Sequence, residues 1–395
     1  MRGGSDPKRV MFFAIDVEGL IRPDHPLRPI KAMMDQALAK MDALFDQAYS
    51  DTGRPSVPPE MLLKALLLQA LYSVRSERAL VERIATDLLF RWFVDLDPAQ
   101  DVFDHSSFTH NRARLAEHGL ISAFFDGVVK RAMEAGLCSD DHFSVDGTLI
   151  QSHASLKGLR PIQTVRAEAQ PPAAKDQDGD DSNSSGGTAS GGGTSGQGRN
   201  PSVNFRGQKR TNQTHQSPVD PEARLCRKGA GQPALLCHSG HALMENRNGL
   251  ILQVAVDEAN GLSERQQALA MLDAHHDKHG VIPTTLGADK GYGAGSFLSD
   301  LVGRVVRPQV AMKDEPVKAT GDDADRRRMM KRRMKTIGYA ISQKKRKLIE
   351  EAFGWIKTVA GLRRTKLVGR WKLRMQMQLS AAAYNLVRMR NLAAA

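Results

Sequence analysis

Residues 143–153 read FSVDGTLIQSH, and the interpretation of Asp146 within this stretch decides the fold. Asp146 stands at the end of a short β-like run and is followed at once by Gly147 and Thr148. An acid in that setting is a phosphate-handling nucleophile, a metal ligand or the start of a turn. The run alone leaves all three open.

Working outward, a chain of 395 residues with 41% hydrophobic content is long enough for two globular domains with real cores. Its formal net charge of +12 favours a polyanionic partner, nucleic acid before membrane. That charge is concentrated: from Arg326 to Arg374 there are eighteen Lys and Arg against only Glu350 and Glu351, so the rest of the chain is slightly acidic. The longest apolar run, MLLKALLLQALY, is broken by Lys64 and Gln69 and falls short of a membrane span. The apolar stretch near the amino terminus is too short for a secretory signal. Cys138, Cys226 and Cys237 suggest no disulfide framework, which fits a reducing compartment. The expectation is a soluble, cytoplasmic protein.

Residues 28–48 place apolar side chains at helical spacing, Pro58 and Pro59 begin a second helix that is apolar nearly all round, and Ser76 caps a third bearing Leu80, Val81, Ile84 and Leu88. Ser106 or Ser107 caps a fourth. Residues 1–135 therefore read as an all-α amino-terminal domain, either a plain bundle or a DNA reader. Beyond residue 136 the pattern changes to short strands: FSVDGTLI, PALLCHSGHALME, GLILQVAVDEA, TTLGADKGY and VGRVVRPQV. Helical runs fall between the later strands and another starts near Ser342, so residues 136–392 predict a mixed α/β sheet flanked by helices. Within it, residues 165–215 hold a Gly/Ser-rich insertion too polar to bury a core, hence flexible.

Three acids stand out. VDGTLI resembles the phosphatases of the haloacid dehalogenase superfamily, but their nucleophilic aspartate falls on Ser144, which lacks the carboxylate. Asp289, in LGADKGY, again follows a strand, and Asp146 and Asp289 together resemble half of a magnesium site. In SQKKRKLIEEAFGWIK, Leu348, Ile349, Ala352, Phe353 and Ile356 form the buried stripe of a helix, while Arg346, Glu350 and Lys357 share another face. Glu351 is turned about 100° away.

Asp146, Asp289 in Asp-Lys-Gly-Tyr, and Glu350 within Arg346-x3-Glu350-x6-Lys357 resemble the acid triad of bacterial insertion-sequence DDE transposases with an RNase H-like catalytic domain. The third motif is similar to the signature Tyr-x2-Arg-x3-Glu-x6-Lys, with Gln343 in place of the tyrosine. DHPLRPI, GRPSVPPEMLLKALLLQALY, VRSERALVERI and FRWFVDL resemble the helical amino-terminal domain of the fifth insertion-sequence family, as do DPEAR, GHALMENRNGLI, FGWIK and AYNLVRM in the remainder. The resemblance implies metal-dependent cleavage of DNA strands at element ends and transfer to a target. It implies Asp146, Asp289 and Glu350 as catalytic residues holding two Mg²⁺ or Mn²⁺ ions, because three converging carboxylates stay ionised together only around cations. Arg346, Lys357, Lys344, Lys345, Arg363 and Arg364 are the DNA-binding residues it implies, and a homodimer on paired terminal inverted repeats is the implied assembly, in the bacterial cytoplasm at the nucleoid. The rivals are a non-catalytic DNA-binding protein and a metal-dependent phosphatase.

Weaker patterns read as structural. His275, His276 and His279 predict a solvated helix end. Cys226, Cys237, His238 and His241 are possible zinc ligands, but neighbouring Cys237 and His238 face opposite sides of a strand. Trp371 reads as core before base-stacking platform.

Overall fold

The computed structural model describes residues 16–49, 56–169, 203–205, 207–227, 229, 231–261, 263–314 and 320–394. The amino-terminal segment is all helical: α1 (Val17–Leu20), α2 (Leu27–Leu38), α3 (Asp42–Ala48), α4 (Pro59–Leu71), α5 (Glu77–Thr86), α6 (Leu88–Phe93), α7 (His105–Glu117) and α8 (Leu120–Glu134). Pro at the first position of α4 costs nothing, since that N–H has no intrahelical partner. The helix is buried nearly all round, and even Lys64 is enclosed, paired with Asp35 and Asp95. Ser76 caps α5 as expected, accepting from Ala79 N. The third helix does not continue through Leu88: Asp87 ends α5 and caps α6, leaving Leu88 exposed. The fourth is capped by Asp104 rather than Ser106 or Ser107, because Asp104 Oδ1 accepts from Ser106 N at 2.8 Å.

The remainder begins with β1 (His142–Gln151), followed by β2 (Arg160–Pro161), α9 (Ile162–Ala169), β3 (Val203–Phe205), β4 (Gln208–Arg210), β5 (His215–Gln216) and β6 (Arg224–Cys226). Residues 170–202, which hold most of the Gly/Ser-rich run, lie outside the described residues; the flanks of the 165–215 segment carry α9 and the short strands β3 to β5. Then come β7 (Leu235–Glu245), β8 (Leu250–Glu258), α10 (Ser263–His279), β9 (Thr285–Ala288), α11 (Gly295–Gly303), β10 (Arg307–Val310), α12 (Asp322–Arg333), α13 (Ile337–Thr358) and α14 (Arg370–Ala393). The last sheet strand is shorter than its sequence run, whose beginning belongs to α11. Helix α13 starts five residues before Ser342, capped by Thr336.

One mixed sheet organises this half. Its order is β10-β9-β1-β7-β6, with β8 also on β7; β1, β7 and β8 run antiparallel in succession, while β9 and β10 lie parallel to β1. Helix α10 packs on one face and α13 on the other, so β1 is buried centrally. Helix α14, which no apolar stripe announces, lies against β8 and also against α8, α4 and α2. It is buried from Met377 to Leu386. One apolar core therefore runs from the helical segment through α14 into the sheet. Ser73 Oγ donating to Val359 O at 2.6 Å and Lys366 Nζ to Arg75 O at 3.1 Å tie the two halves again. Among the described residues no helix is long and apolar enough to cross a membrane.

Candidate active site

Asp146 lies midway along β1, Asp289 just past the end of β9 and Glu350 within α13. The parallel pairing of β1 with β9 sets Ser144 opposite Gly287. Two residues further along each chain come Asp146, within β1, and Asp289, at the turn that follows β9. Side chains alternate along β1, so Asp146 faces α13, whose buried stripe of Ile349, Ala352, Phe353 and Ile356 holds the helix against the sheet. Arg346 and Glu350 lie on the flank of that stripe, which brings Arg346 onto Asp146 of β1.

Arg346 joins the pieces. Its guanidinium donates to Asp146 Oδ2 at 3.1 Å and to Glu350 Oε1 at 3.1 Å, with its own side chain 15% exposed. Gln343 steadies it, accepting from Arg346 Nε at 3.3 Å while donating to Gln309 O at 2.8 Å and Ala288 O at 3.4 Å. The glutamine that replaces the signature tyrosine thus pins α13 to the ends of β9 and β10 and orients the arginine.

Asp289 caps the turn after β9, accepting from Gly291 N at 2.7 Å. Gly291 is required by the crowding: a Cβ there would lie 2.9 Å from Asp289 Oδ1 and 3.4 Å from Glu264 Oε2. Glu264, in the first turn of α10, is therefore a fourth carboxylate beside the triad, absent from the sequence reading because nothing in SERQQ marks it.

Burial pushes the Asp146 carboxyl up to about 6. Gly147 N–H and Arg346 pull it down, while the like charges of Asp289 and Glu350 add to the upward push. Asp289 and Glu350 both act on Asp146, although among the described residues no three His, Cys, Asp or Glu side chains stand close enough to hold one metal ion. The guanidinium between Asp146 and Glu350 takes part of that space. The donor set still fits a hard divalent cation: carboxylate oxygens only, mutually repelling, around a point where a positive charge already sits.

The other expected site residues scatter. Lys344 and Lys345 are exposed on α13, in the same turn of helix as Arg346. Lys357 lies two turns beyond Glu350, about 10 Å along the axis, and its charge acts on Cys237 at the far end of β7, so it is not beside the acids. Arg363 and Arg364 are exposed, on a segment that bridges to the end of β1; Arg364 donates to His153 O at 3.0 Å.

Polar groups of the candidate zinc set are differently employed. His238 is fully buried, its Nε2 2.9 Å from Asp220 Oδ2, which also accepts from Ser152 Oγ at 2.6 Å. Asp220 belongs to DPEAR, quoted above without a role. His275 is core, 1% exposed against Phe143, not a solvated end, because its face of α10 packs on the sheet; Trp371, 47% exposed, is not core.

Comparison with known families adds two matches. Residues 15–114 match the family described as Transposase domain (DUF772), and residues 214–386 match the Transposase DDE domain. No curated protein and no solved structure matches the chain. The second match contains Asp289, Arg346, Glu350 and Lys357, while β1 with Asp146 lies outside both. The mixed sheet and flanking helices described above are the RNase H-like architecture of that DDE domain. The chain belongs to the insertion-sequence DDE transposases.

Proposed function

We propose that this transposase cleaves DNA strands at the ends of its element and transfers them to target DNA, with Asp146, Asp289 and Glu350 as the catalytic carboxylates. The observation that carries the proposal is the sharing of one guanidinium by strand-borne Asp146 and helix-borne Glu350, beside Asp289. A point that draws cationic charge onto several carboxylates suits divalent ions. Asp146, Asp289 and Glu350 would hold two Mg²⁺ or Mn²⁺ ions. When bound, such a pair supplies activation of an attacking water or 3′-hydroxyl and charge neutralisation at the leaving oxygen of a phosphodiester.

The protein's own groups do the positioning. Gly147 N–H and Arg346 fix the Asp146 carboxylate, and Gln343 fixes Arg346. Arg346 would turn from the carboxylates to a DNA phosphate, for which its planar fork is suited. Lys344, Lys345, Arg363 and Arg364 form the surrounding phosphate-binding surface, with Lys357 more distant. The substrate is double-stranded DNA, terminal inverted repeats and target, bound by a homodimer at the nucleoid. The helical segment to residue 135 contributes to DNA binding, and residues 136–392 carry the chemistry.

The test is Mg²⁺-dependent nicking of a duplex bearing the element's own terminal repeats. Wild type nicks it and Asp146→Ala does not. If both nick equally poorly while binding DNA, the protein is a binding module only.

A further inference from the structure

Trp371 stands in the first turn of α14 with 47% of its surface exposed, and among the described residues it is the one exposed aromatic side chain. Tryptophan contributes most when buried, so an open one calls for a cause. The corner that carries it is pinned. Backbone N and Nε of Arg370 donate to the two carboxylate oxygens of Glu222 at 2.7 and 2.8 Å, and its Nη1 donates to Asp257 Oδ1 at 2.8 Å. Gly369 turns the chain at φ +90°, a conformation that a Cβ disfavours, and the indole lies against it, with Cδ1 3.6 Å from where that Cβ would stand. The ring is thus presented by a fixed backbone at the surface.

Its surroundings are cationic. From Ala352 to the end of the sequence there is no Asp or Glu, while Arg363, Arg364, Lys366, Lys372 and Arg374 are all exposed. Glu222 and Asp257, the carboxylates at this corner, are both engaged by Arg370, and among the described residues none pairs with those five cations. Lys372 Nζ lies 5.4 Å from the centroid of the Trp371 ring. The segment also continues the catalytic strand: Gln151 N donates to Arg363 O at 3.1 Å and Thr365 N to Gln151 O at 2.8 Å. Gln151, the last residue of β1, is five residues beyond Asp146, about 17 Å by strand rise. A stacked DNA strand covers that span in about five nucleotides.

A flat apolar surface among unpaired cations fits a polymer that alternates flat bases with phosphates. In a duplex the base faces are closed by their neighbours, whereas an unpaired strand opens them to an indole, and such stacking tolerates any base. We propose that Trp371 is the stacking platform for an unpaired nucleobase of the DNA substrate, with the adjoining phosphates held by Lys372, Arg374 and the Arg363–Lys366 segment. The proposal rests on the strand-cleaving function above and deepens it, because cutting a strand near Asp146 frees an end that can part from its complement and reach this corner.

Binding of the full chain to single-stranded dodecamers of thymidine, to an abasic dodecamer and to a 12-base-pair duplex tests it, read by fluorescence anisotropy. Wild type is expected to bind the thymidine strand about tenfold tighter than the abasic one. Trp371→Ala, checked for unchanged thermal melting, abolishes that preference and leaves duplex affinity unchanged, while Trp371→Phe keeps part of the preference. Arg374→Ala weakens all three ligands alike and keeps the preference. The thymidine strand also quenches tryptophan emission in wild type, and this quenching is lost in Trp371→Phe. Equal affinity of wild type and Trp371→Ala for the thymidine strand overturns the proposal, as does an equal loss on all three ligands, and in either case the DNA-cleaving function stands. No binding of any of the three by wild type instead overturns that function.

Discussion

Two buried aspartates in this molecule sit beside partners of opposite purpose. Asp220 is 1% exposed, sealed with His238 and Ser152 under the sheet edge. Asp146 keeps 19% of its side chain exposed and, midway along β1, meets Arg346, which also binds Glu350. Burial raises the pKa of both. At Asp220 the hydrogen bonds from His238 and Ser152 more than reverse it, and the net shift is downward. At Asp146 burial wins, joined by two like charges, and the carboxyl rises to about 6. In the first arrangement one carboxylate oxygen, Oδ2, is held between His238 and Ser152. The second holds a carboxylate that the fold alone does not fully compensate, as expected where charge is kept for a ligand.

The sharpest way to break this contrast is to neutralise each acid. Asp220→Ala leaves His238 and Ser152 buried without their acceptor and is expected to destabilise the fold by about 3–5 kcal/mol, read by urea denaturation. Asp146→Asn has the opposite sign. Because the folded pKa is raised, ionising Asp146 costs stability that is intact below about pH 4 and is lost as pH rises toward about 6. In metal-free buffer the asparagine variant should therefore be more stable than wild type above pH 6, by up to about 3 kcal/mol, with no difference near pH 3.5. Equal melting of the two proteins at pH 8 contradicts the comparison.

Smaller effects sharpen it. Gln343→Ala removes the bridge from α13 to β9 and β10 and should cost about 1 kcal/mol of stability, with slower cleavage as Arg346 loses its support. Arg363→Ala with Arg364→Ala should leave stability unchanged, lower affinity for duplex DNA of any sequence alike, and flatten the salt dependence by about 0.9 per lost phosphate contact.

What the sequence makes legible follows from period. Short apolar or β-branched runs bounded by turn residues predicted β1, β7 and β8 to within two residues. Helix α14 escaped because it is wedged between the helical segment and the sheet, and burial on nearly every side, from Met377 to Leu386, erases the polar face that marks a helix. The cap of α7 was misplaced because Asp104, Ser106 and Ser107 are comparable cap residues and only geometry selects among them. Arg346 and Glu350 were recognisable as a four-residue pair. The contact from Arg346 to Asp146, 200 positions away, depends on the parallel register of β1 with β9, which no local pattern encodes. Lys357 shares a helix face with Glu350 but is too far along the axis to join it. Glu264 and Asp220 carry no local signal at all.

The central claim is that Asp146, Asp289 and Glu350 serve one divalent-ion site. Titration of the metal-free protein with Mn²⁺, followed by calorimetry, tests it directly. Asp146→Ala, Asp289→Ala and Glu350→Ala should each abolish or severely weaken the same binding event, and the triple variant should lose little more than the weakest single one. Three variants that each bind Mn²⁺ as the wild type does would contradict it.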